Sequence, residues 1–237
     1  MKVWIGWDKR EASAFAVCRH SLRRKAERYI ETHGLILDDL VRQGLYKRPT
    51  EIRQSAADRP LMWDVPSDAP MSTEHANARF LVPHLAKTGW ALFCDGDILW
   101  RDSVFELFEQ LDASKAVYCV KHNYLPGQSV KMDGQVQTQY ARKNWTSVIA
   151  FNCDHPANSF LTLDKINTLP GRELHALCWL NDGEIGELGV EWNYLVGHSK
   201  HDNPKAVHFT AGVPDMPGYE NCEYADEWRA ELNRWAK

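Results

Sequence analysis

The sequence predicts an α/β sandwich with a mainly parallel central sheet, in a single domain over residues 1–237. Two observations support this: short apolar strand-like segments alternate with helical apolar stripes, and polar side chains follow several of the apolar segments. Strands that alternate with helices are typical of a parallel sheet covered by helices. A length of 237 residues with 44% hydrophobic residues is enough for one sizeable core.

The chain opens with a strand followed by a helix. Lys2–Trp7 is rich in β-forming residues and ends at Asp8, whose side chain is suited to cap the next helix. An apolar stripe over Ala12–Leu22 predicts that helix. Gly34–Leu37 predicts a short second strand, and residues 44–72, rich in Pro, Arg, Asp and Ser, predict a loop.

The middle of the chain contains its most apolar strand segment. A helix is predicted over residues 72–87, and Gly89 ends it. Residues 90–100 read WALFCDGDILW, a buried strand interrupted by two aspartates. The apolar spacing over residues 103–111 predicts a further helix, which begins with a capping-box pattern.

The second half continues the alternation. Strands are predicted at 116–120 and 147–152, and the polar, glycine-containing stretch 121–146 between them is typical of a functional loop. The remaining predicted elements are helices over 158–180 with a break at Pro170-Gly171, a strand at 206–210 and a terminal helix with an apolar stripe of Ala225, Trp228, Leu232 and Trp235.

Composition excludes several classes of protein. A net charge of -4 leaves no excess of basic residues to neutralise phosphates, which argues against nucleic-acid binding. No apolar run reaches the roughly 18 residues that a membrane span needs. The start of the chain lacks the apolar stretch of a signal peptide, and six dispersed cysteines without a C-x-x-C pair predict reduced thiols and a cytoplasmic location. P-loop, dinucleotide and nucleophile-elbow motifs are absent from the sequence.

The sharpest functional signal is Asp95-Gly96-Asp97, directly after an apolar strand segment. In an extended backbone, residues i and i+2 point to the same side, about 6 to 7 Å apart, so two carboxylates repel unless a cation lies beside them. A divalent metal ion relieves this repulsion and can bridge to a diphosphate. Gly96 allows a tight turn and the close approach of a ligand. The alternative is a polar loop in which one aspartate caps the next element.

Other polar residues also follow apolar strand segments, and parallel sheets bind ligands beyond the carboxyl ends of their strands. Asp8, Asn152 and His208 have such positions. An imidazole beside carboxylates suits manganese better than magnesium, although a buried core histidine is the alternative for His208. Asp8 is suited either to a nucleobase or ribose hydroxyl or to a helix cap.

Two further residues are candidates for binding or catalysis. Arg79 precedes Asp95 by about one helix, and its guanidinium matches a phosphate or a sugar hydroxyl; a surface ion pair is the alternative. Glu191-Trp192-Asn193 combines a carboxylate, a stacking ring and an amide, and the alternative there is a loop with a buried tryptophan.

These segments resemble the glycosyltransferases of the GT-A fold, most closely the family 8 type and related bacterial and phage glycosyltransferase-like proteins. The resemblance spans most of the chain and is strongest over residues 72–108. The segments that carry it are Ile5-Gly6-Trp7-Asp8, Ser72-Thr73-Glu74, Arg79-Phe80-Leu81-Val82-Pro83 and Leu92-Phe93-Cys94-Asp95-Gly96-Asp97. It implies a GT-A-like (Rossmann-like) fold and a sugar transfer, with retained configuration, from a nucleotide diphosphate sugar (UDP- rather than GDP-) to an unknown acceptor such as a saccharide or a protein.

The resemblance also implies roles for individual residues. Asp95 and Asp97 match the metal and nucleotide-sugar motif, and His208 matches the late histidine that completes the metal sphere of Mn²⁺ or Mg²⁺. Arg79 matches an arginine that contacts the donor sugar. Asp8 falls where the family recognises the nucleobase.

The match is looser elsewhere. Thr146, Ser147 and Asn152 fall in the segment that lines the sugar site. In the family, a glycine follows the late histidine by three residues and then a lysine holds the diphosphate; here Gly212 is four residues on and no lysine follows. The family's acidic-Gln-acidic motif is replaced by residues 190–193, so Glu191 is the candidate general base or orienting group.

Two alternative functions remain at this point. A metal-dependent nucleotidyltransferase is the first, because D-x-D also holds metal at phosphoryl-transfer sites. A non-catalytic relative that binds a nucleotide or a carbohydrate is the second, and the missing lysine favours it.

Overall fold

A computed structural model describes residues 1–54, 60–123 and 142–237 of the chain. Its strands are β1 (Lys2–Gly6), β2 (Glu31–Leu35), β3 (Thr50–Gln54), β4 (Pro60–Asp64), β5 (Ala69–Pro70), β6 (Trp90–Cys94), β7 (Ile98–Trp100), β8 (Val117–Val120), β9 (Val148–Asn152), β10 (Ile185–Leu188), β11 (Tyr194–Leu195) and β12 (Ala206–His208). Its α-helices are α1 (Ala12–Lys25), α2 (Leu37–Arg42), α3 (Val82–Ala86), α4 (Val104–Phe108), α5 (Leu163–Thr168), α6 (Gly171–His175) and α7 (Ala225–Trp235).

The central sheet has six strands in the order β10-β8-β9-β6-β1-β2. β1 is parallel to β2 and β6, and β10 is parallel to β8, whereas β9 is antiparallel to both of its neighbours. This confirms the predicted mainly parallel sheet. Because β9 is reversed, its first residue Val148 pairs with Cys94 at the carboxyl end of β6, whereas Asn152 pairs with Trp90 at the opposite edge.

The central strands are buried on both faces. Trp4 and Phe93 belong to one apolar cluster, which includes residues of α2, α3, α5 and α6. Val3 and Leu92, one position away on the same strands, belong to a second cluster with residues of α1 and α4. Since side chains alternate across a strand, these continuous apolar segments need a layer on each face.

A second sheet, β11-β12-β7, continues from the end of the first. β7 follows the turn at residues 95–97, and β12 pairs antiparallel with it so that His208 lies opposite Ile98. The backbone N–H of Phe209 donates to the carbonyl oxygen of Asp97 at 3.1 Å. These backbone contacts bring a histidine from late in the sequence next to the second aspartate of the motif.

The prediction of a loop over residues 44–72 is wrong. β3, β4 and β5 form a small antiparallel sheet there. β3 is exposed along its whole length, so it has no apolar alternation that would identify it in the sequence. The sheet is held by backbone pairing and by the Arg53 guanidinium, which lies 4.2 Å from the Trp63 ring.

Some element boundaries also differ from the sequence prediction. The predicted helix over 72–87 is reduced to a 3₁₀ turn at Ala78–Leu81 followed by α3, because residues 72–77 contact β1 and the following turn instead. One example is the Glu74 N–H, which donates to the Asp8 carboxylate at 3.0 Å. The predicted second strand begins three residues earlier, at Glu31.

The predicted capping box at the start of α4 forms only in part. The Ser103 hydroxyl accepts from the Phe105 N–H, but the Ser103 N–H donates to the Asp102 carboxylate at 2.8 Å. Glu106 instead pairs with Lys205. The helices after residue 158 break at Pro170, and the terminal helix forms, as expected. Most of the predicted loop 121–146 lies outside the described residues. In the part of the chain that the structure covers, no helix combines the length and apolar character of a membrane span.

Gly96 allows the turn after β6 to press against β1. A Cβ atom added to Gly96 would lie 2.5 Å from the carbonyl oxygen of Gly6. Gly6 in turn leaves room for the His75 ring, which a Cβ there would meet at 2.4 Å. The two glycines therefore set the spacing between the ends of β1 and β6.

We expect Gly96→Ala to lower the free energy of unfolding by about 2 kcal/mol, because a backbone oxygen in a sheet cannot move away from the new methyl group. Urea unfolding followed by circular dichroism measures this. Gly183→Ala is the matched control: no atom lies within 4 Å of its added Cβ. Equal stability of the two variants would contradict the prediction.

Glu231 joins the terminal helix to α1. Its side chain is 1% exposed and contacts His20 at 2.7 Å, Arg24 at 2.8 Å and Arg234 at 2.9 Å. Burial raises the pKa of Glu231, but the hydrogen bonds from Arg24 and His20 outweigh burial, so this pKa lies below its usual value. The carboxylate is thus stabilised as an anion in the folded state.

We expect Glu231→Gln to lower the free energy of unfolding at pH 7 by about 2 kcal/mol, since a buried charged acceptor is lost. Because the pKa of Glu231 is lower in the folded protein than its ordinary value of 4.5, ionisation of this carboxyl stabilises the fold at a pH above 4.5. This stabilisation is lost as the pH falls through the folded-state pKa. The difference between variant and parent should therefore shrink in acid. Glu227→Gln, at a half-exposed partner of Arg101, should cost less than about 1 kcal/mol; an equal loss in both variants would refute the role of Glu231.

Candidate functional site

A cleft of about 340 Å³ opens at the carboxyl ends of β1 and β6. This is the edge of a parallel sheet at which ligands bind. The polar side chains in its lining include Glu11, His75, Arg79, Asp95, Asp97 and His208.

Three of these residues form a group that is suited to hold a metal ion. Asp95, Asp97 and His208 each offer one ligand atom, and these atoms lie within 4.8 Å of one another. His208 Nε2 is 3.3 Å from Asp97 Oδ1. In the described part of the chain, this carboxylate oxygen is buried without a hydrogen-bond partner. An orphaned carboxylate oxygen beside an imidazole and a second carboxylate fits a divalent cation.

His208 is 3% exposed, and the carboxylates of Asp95 and Asp97 lie near its ring. Burial lowers the pKa of His208, but the carboxylate of Asp97 outweighs burial, so the pKa of His208 is raised. The same negative charge that favours a proton on the imidazole favours a metal cation in its place.

Asp95 is held in place by two cationic or polar side chains. Arg79 Nη2 lies 2.9 Å and His75 Nε2 3.2 Å from the same oxygen, Asp95 Oδ1. The Asp95 N–H donates to the carbonyl oxygen of Ser147 at 2.8 Å. Burial raises the pKa of Asp95, but Arg79 and His75 together hold this pKa well below its usual range. Asp95 is therefore ionised and fixed in orientation.

The guanidinium of Arg79 makes its contacts within the protein. Its Nε donates to the carbonyl oxygen of Ala76 at 2.9 Å, and its Nη1 donates to that of Thr146 at 2.8 Å. Its Nη2 contacts Asp95, and the side chain is 7% exposed. Through these three contacts, Arg79 links the aspartate motif to the backbone at Ala76 and Thr146. The expected contact of Arg79 with the donor sugar stays a prediction.

Asp8 is likewise engaged within the fold. It caps the 3₁₀ turn Lys9–Glu11 by accepting from the Arg10 N–H at 2.9 Å, and it also accepts from the Arg10 side chain and the Glu74 N–H. Burial raises the pKa of Asp8, but these hydrogen bonds lower it to about 2 overall. The helix-cap interpretation therefore describes its contacts, and nucleobase recognition by Asp8 stays a prediction.

The structure separates the candidates of the sugar-site segment. Thr146 and Ser147 line the cleft. Asn152 lies at the opposite edge of the sheet because β9 is antiparallel, and its Nδ2 donates to the carbonyl oxygens of Ala113 and Lys115. The geometry does not bring Asn152 to the cleft. A Cβ atom on Gly96 would lie 2.5 Å from the Gly6 carbonyl oxygen, and the contact of Gly96 with a donor stays a prediction.

Glu191 is not among the described residues that line the cleft. It lies in the 3₁₀ turn Val190–Asn193, and its Oε2 is 4.0 Å from His201 Nε2. Trp192 in the same turn is fully buried, as expected for a structural loop. A catalytic role for Glu191 stays a prediction that this placement does not favour.

Sequence reasoning missed several residues of the cleft. His75, which contacts Asp95, was not distinguished from the other histidines by any local pattern. Glu11 also lines the cleft, and burial together with the nearby Asp97 raises the pKa of Glu11 to about 7. The position of Glu11 shortly after the first strand was the one feature of the sequence that could have indicated a place in the cleft. Lys143 lines the cleft as well, although it is far in sequence from the place where the family has its lysine.

Comparison with solved structures identifies the fold. A bifunctional glycosyltransferase, WbbM, matches with a TM-score of 0.63 and 14% identity over 98% of this chain, which spans about half (49%) of the WbbM chain. The galactosyltransferase LgtC in complex with donor and acceptor sugar analogs matches with a TM-score of 0.60 and 16% identity, over 99% of this chain and 96% of LgtC. GlyE of Streptococcus pneumoniae matches with a TM-score of 0.58 and 12% identity, over 99% of this chain and 62% of GlyE. The chain therefore has the GT-A fold.

Comparison of sequences identifies the family. No family model matches the chain. Protein CDI of Arabidopsis thaliana is 38% identical over 243 residues, which cover 100% of this chain and 87% of that protein. Identity at this level over the whole chain shows common ancestry, and the chain belongs to the family of Protein CDI.

Proposed function

We propose that the protein transfers a sugar from a nucleotide diphosphate sugar (UDP- rather than GDP-) to a saccharide or protein acceptor, with Mn²⁺ or Mg²⁺ as cofactor. The observation that carries this proposal is the buried Oδ1 of Asp97, which has no hydrogen-bond partner within the described residues and is grouped with Asp95 and His208 at the ligand-binding edge of a GT-A sheet. The solved complex of LgtC with donor and acceptor sugar analogs supports it by analogy of fold.

The chain's own residues have distinct parts in this mechanism. Asp95, Asp97 and His208 would hold the cation, which neutralises negative charge on the departing diphosphate. Arg79 and His75 keep Asp95 ionised and correctly oriented. Thr146 and Ser147, which line the cleft, would orient the sugar as it passes through an oxocarbenium-like state.

Several finer points stay predictions. Retention of configuration and membership of family 8 follow from the sequence resemblance alone. A single domain over residues 1–237 is predicted from the length of the chain, and a cytoplasmic location from its dispersed cysteines.

The direct test combines the purified protein, Mn²⁺ and a panel of UDP- and GDP-sugars. We expect a thermal shift with one donor and slow release of its nucleoside diphosphate. Asp97→Asn should reduce that release by about 100-fold, because it removes a charged metal ligand. Asp226→Asn, at a fully exposed carboxylate, is the matched control. Absence of both shift and release with every donor would refute the proposal.

The products also separate the two alternative functions. Release of pyrophosphate would identify a nucleotidyltransferase. Donor binding without turnover would identify a binding protein, which the missing late lysine favours.

Lys143 is proposed to replace the missing lysine as a diphosphate contact, since it is a basic residue in the cleft lining. We expect Lys143→Ala to raise the KM for the donor about tenfold, which corresponds to about 1.4 kcal/mol of lost binding, with a smaller change in kcat. Lys143→Arg should retain most of the affinity. Lys200→Ala, at an exposed lysine, serves as the control; an unchanged KM in Lys143→Ala would show that this lysine does not contact the donor.

A further inference from the structure

We propose that Asn193 is a positioning residue that determines which ring nitrogen of His208 faces the cation. This inference rests on the proposed metal site. Asn193 is fully buried, and its Oδ1 lies 3.0 Å from His208 Nδ1. His208 Nε2, the other ring nitrogen, is 3.3 Å from Asp97 Oδ1.

The orientation of the Asn193 amide follows from its other contacts. The Ser147 hydroxyl donates to the carbonyl oxygen of Asn144 at 2.8 Å, so its oxygen is left to accept. The Asn193 Nδ2 donates to that Ser147 hydroxyl at 2.8 Å and to the Asn144 carbonyl oxygen at 3.3 Å. Both are acceptors for the amide nitrogen, and the amide oxygen must therefore face His208.

This orientation selects a tautomer of the histidine. An amide oxygen only accepts, so it requires a hydrogen on His208 Nδ1. In the neutral ring, the lone pair is then on Nε2, the nitrogen nearest Asp97. A metal ion binds this lone pair, and a hydrogen bond from the other nitrogen is the usual way in which a protein orients such a ligand.

Without the amide oxygen, the opposite tautomer becomes available. The hydrogen would then move to Nε2 and donate to the orphaned Asp97 Oδ1, which is within 3.3 Å. Histidine and aspartate would satisfy each other, and the pair would lose its ability to bind a cation. In the neutral ring, the amide oxygen of Asn193 disfavours this pairing.

The backbone fixes the distance between the two residues. Asn193 directly precedes β11, which pairs in parallel with β12 so that Leu195 lies opposite His208. The amide thus comes from a neighbouring strand end in the same sheet, and its position depends on strand pairing, not on a flexible loop.

The first test measures Mn²⁺ binding to the metal-free protein by electron paramagnetic resonance of the free ion. Asn193→Leu keeps the approximate volume and removes both hydrogen-bonding groups, and we expect Mn²⁺ affinity to fall by about 10- to 100-fold. Asn158→Leu is the matched control. Asn158 is also buried, and its amide makes three hydrogen bonds, to Ala116, Asn152 and Trp179. We expect this control to lose stability but to retain Mn²⁺ affinity.

The second test reads the tautomer without metal. Long-range ¹H–¹⁵N NMR at pH 9, with His208 assigned through His208→Gln, should show the hydrogen on Nδ1 in the parent and a shift toward Nε2 in Asn193→Leu. Asn193→Asp retains an acceptor oxygen and should preserve the Nδ1 hydrogen.

The outcomes separate this proposal from the proposed function. Unchanged Mn²⁺ affinity in folded Asn193→Leu, or an Nε2 hydrogen in the parent, overturns the role of Asn193 even if the protein is a transferase. Tight Mn²⁺ binding that depends on Asn193, without sugar transfer, supports the positioning role and refutes the transferase. A parent that binds no Mn²⁺ overturns both.

Discussion

The electrostatic repulsion between Asp95 and Asp97 is the constraint on which the rest of the site depends. Two carboxylates at the end of one buried strand are unfavourable unless positive charge surrounds them. The fold supplies this charge from separate elements: Arg79 and His75 contact Asp95, and His208 lies beside Asp97. One carboxylate oxygen of Asp97 still lacks a hydrogen-bond partner within the described residues. The protein thus stabilises the pair only in part and leaves a position suited to a cation.

The architecture around this pair is tight because two glycines allow it. The absence of a side chain at Gly96 leaves room for the Gly6 carbonyl oxygen, and Gly6 in turn leaves room for the His75 ring. Strand pairing fixes two further positions. β12 pairs with β7 and places His208 next to the turn, and β11 pairs with β12 and places the preceding residue, Asn193, next to His208. His208 therefore lies on a paired strand, and the two aspartates lie in the short turn between β6 and β7, each of which is paired within a sheet, so the geometry of the group is better fixed than on a free loop.

Arg79 and Asp8 are engaged in contacts within the fold. All three guanidinium nitrogens of Arg79 contact oxygen atoms of the protein, and both carboxylate oxygens of Asp8 accept hydrogen bonds from it. Groups saturated in this way organise the cleft, since a ligand that displaced them would break buried hydrogen bonds. Lys143 also lines the cleft, from a segment outside the motif.

The sequence alone determined the α/β class and the position of the aspartate motif after a buried strand, because apolar periodicity and local residue chemistry carry that information. It assigned His208 to the metal site only through the family resemblance, and the pairing of β12 with β7 places this histidine beside Asp97. The sequence did not reveal the exposed strand β3, which lacks an apolar pattern. Only the tertiary structure decided that β9 is antiparallel, so that Ser147 rather than Asn152 reaches the cleft. The roles of His75 and Asn193 likewise depend on contacts between residues far apart in the chain, and such contacts leave no local signal.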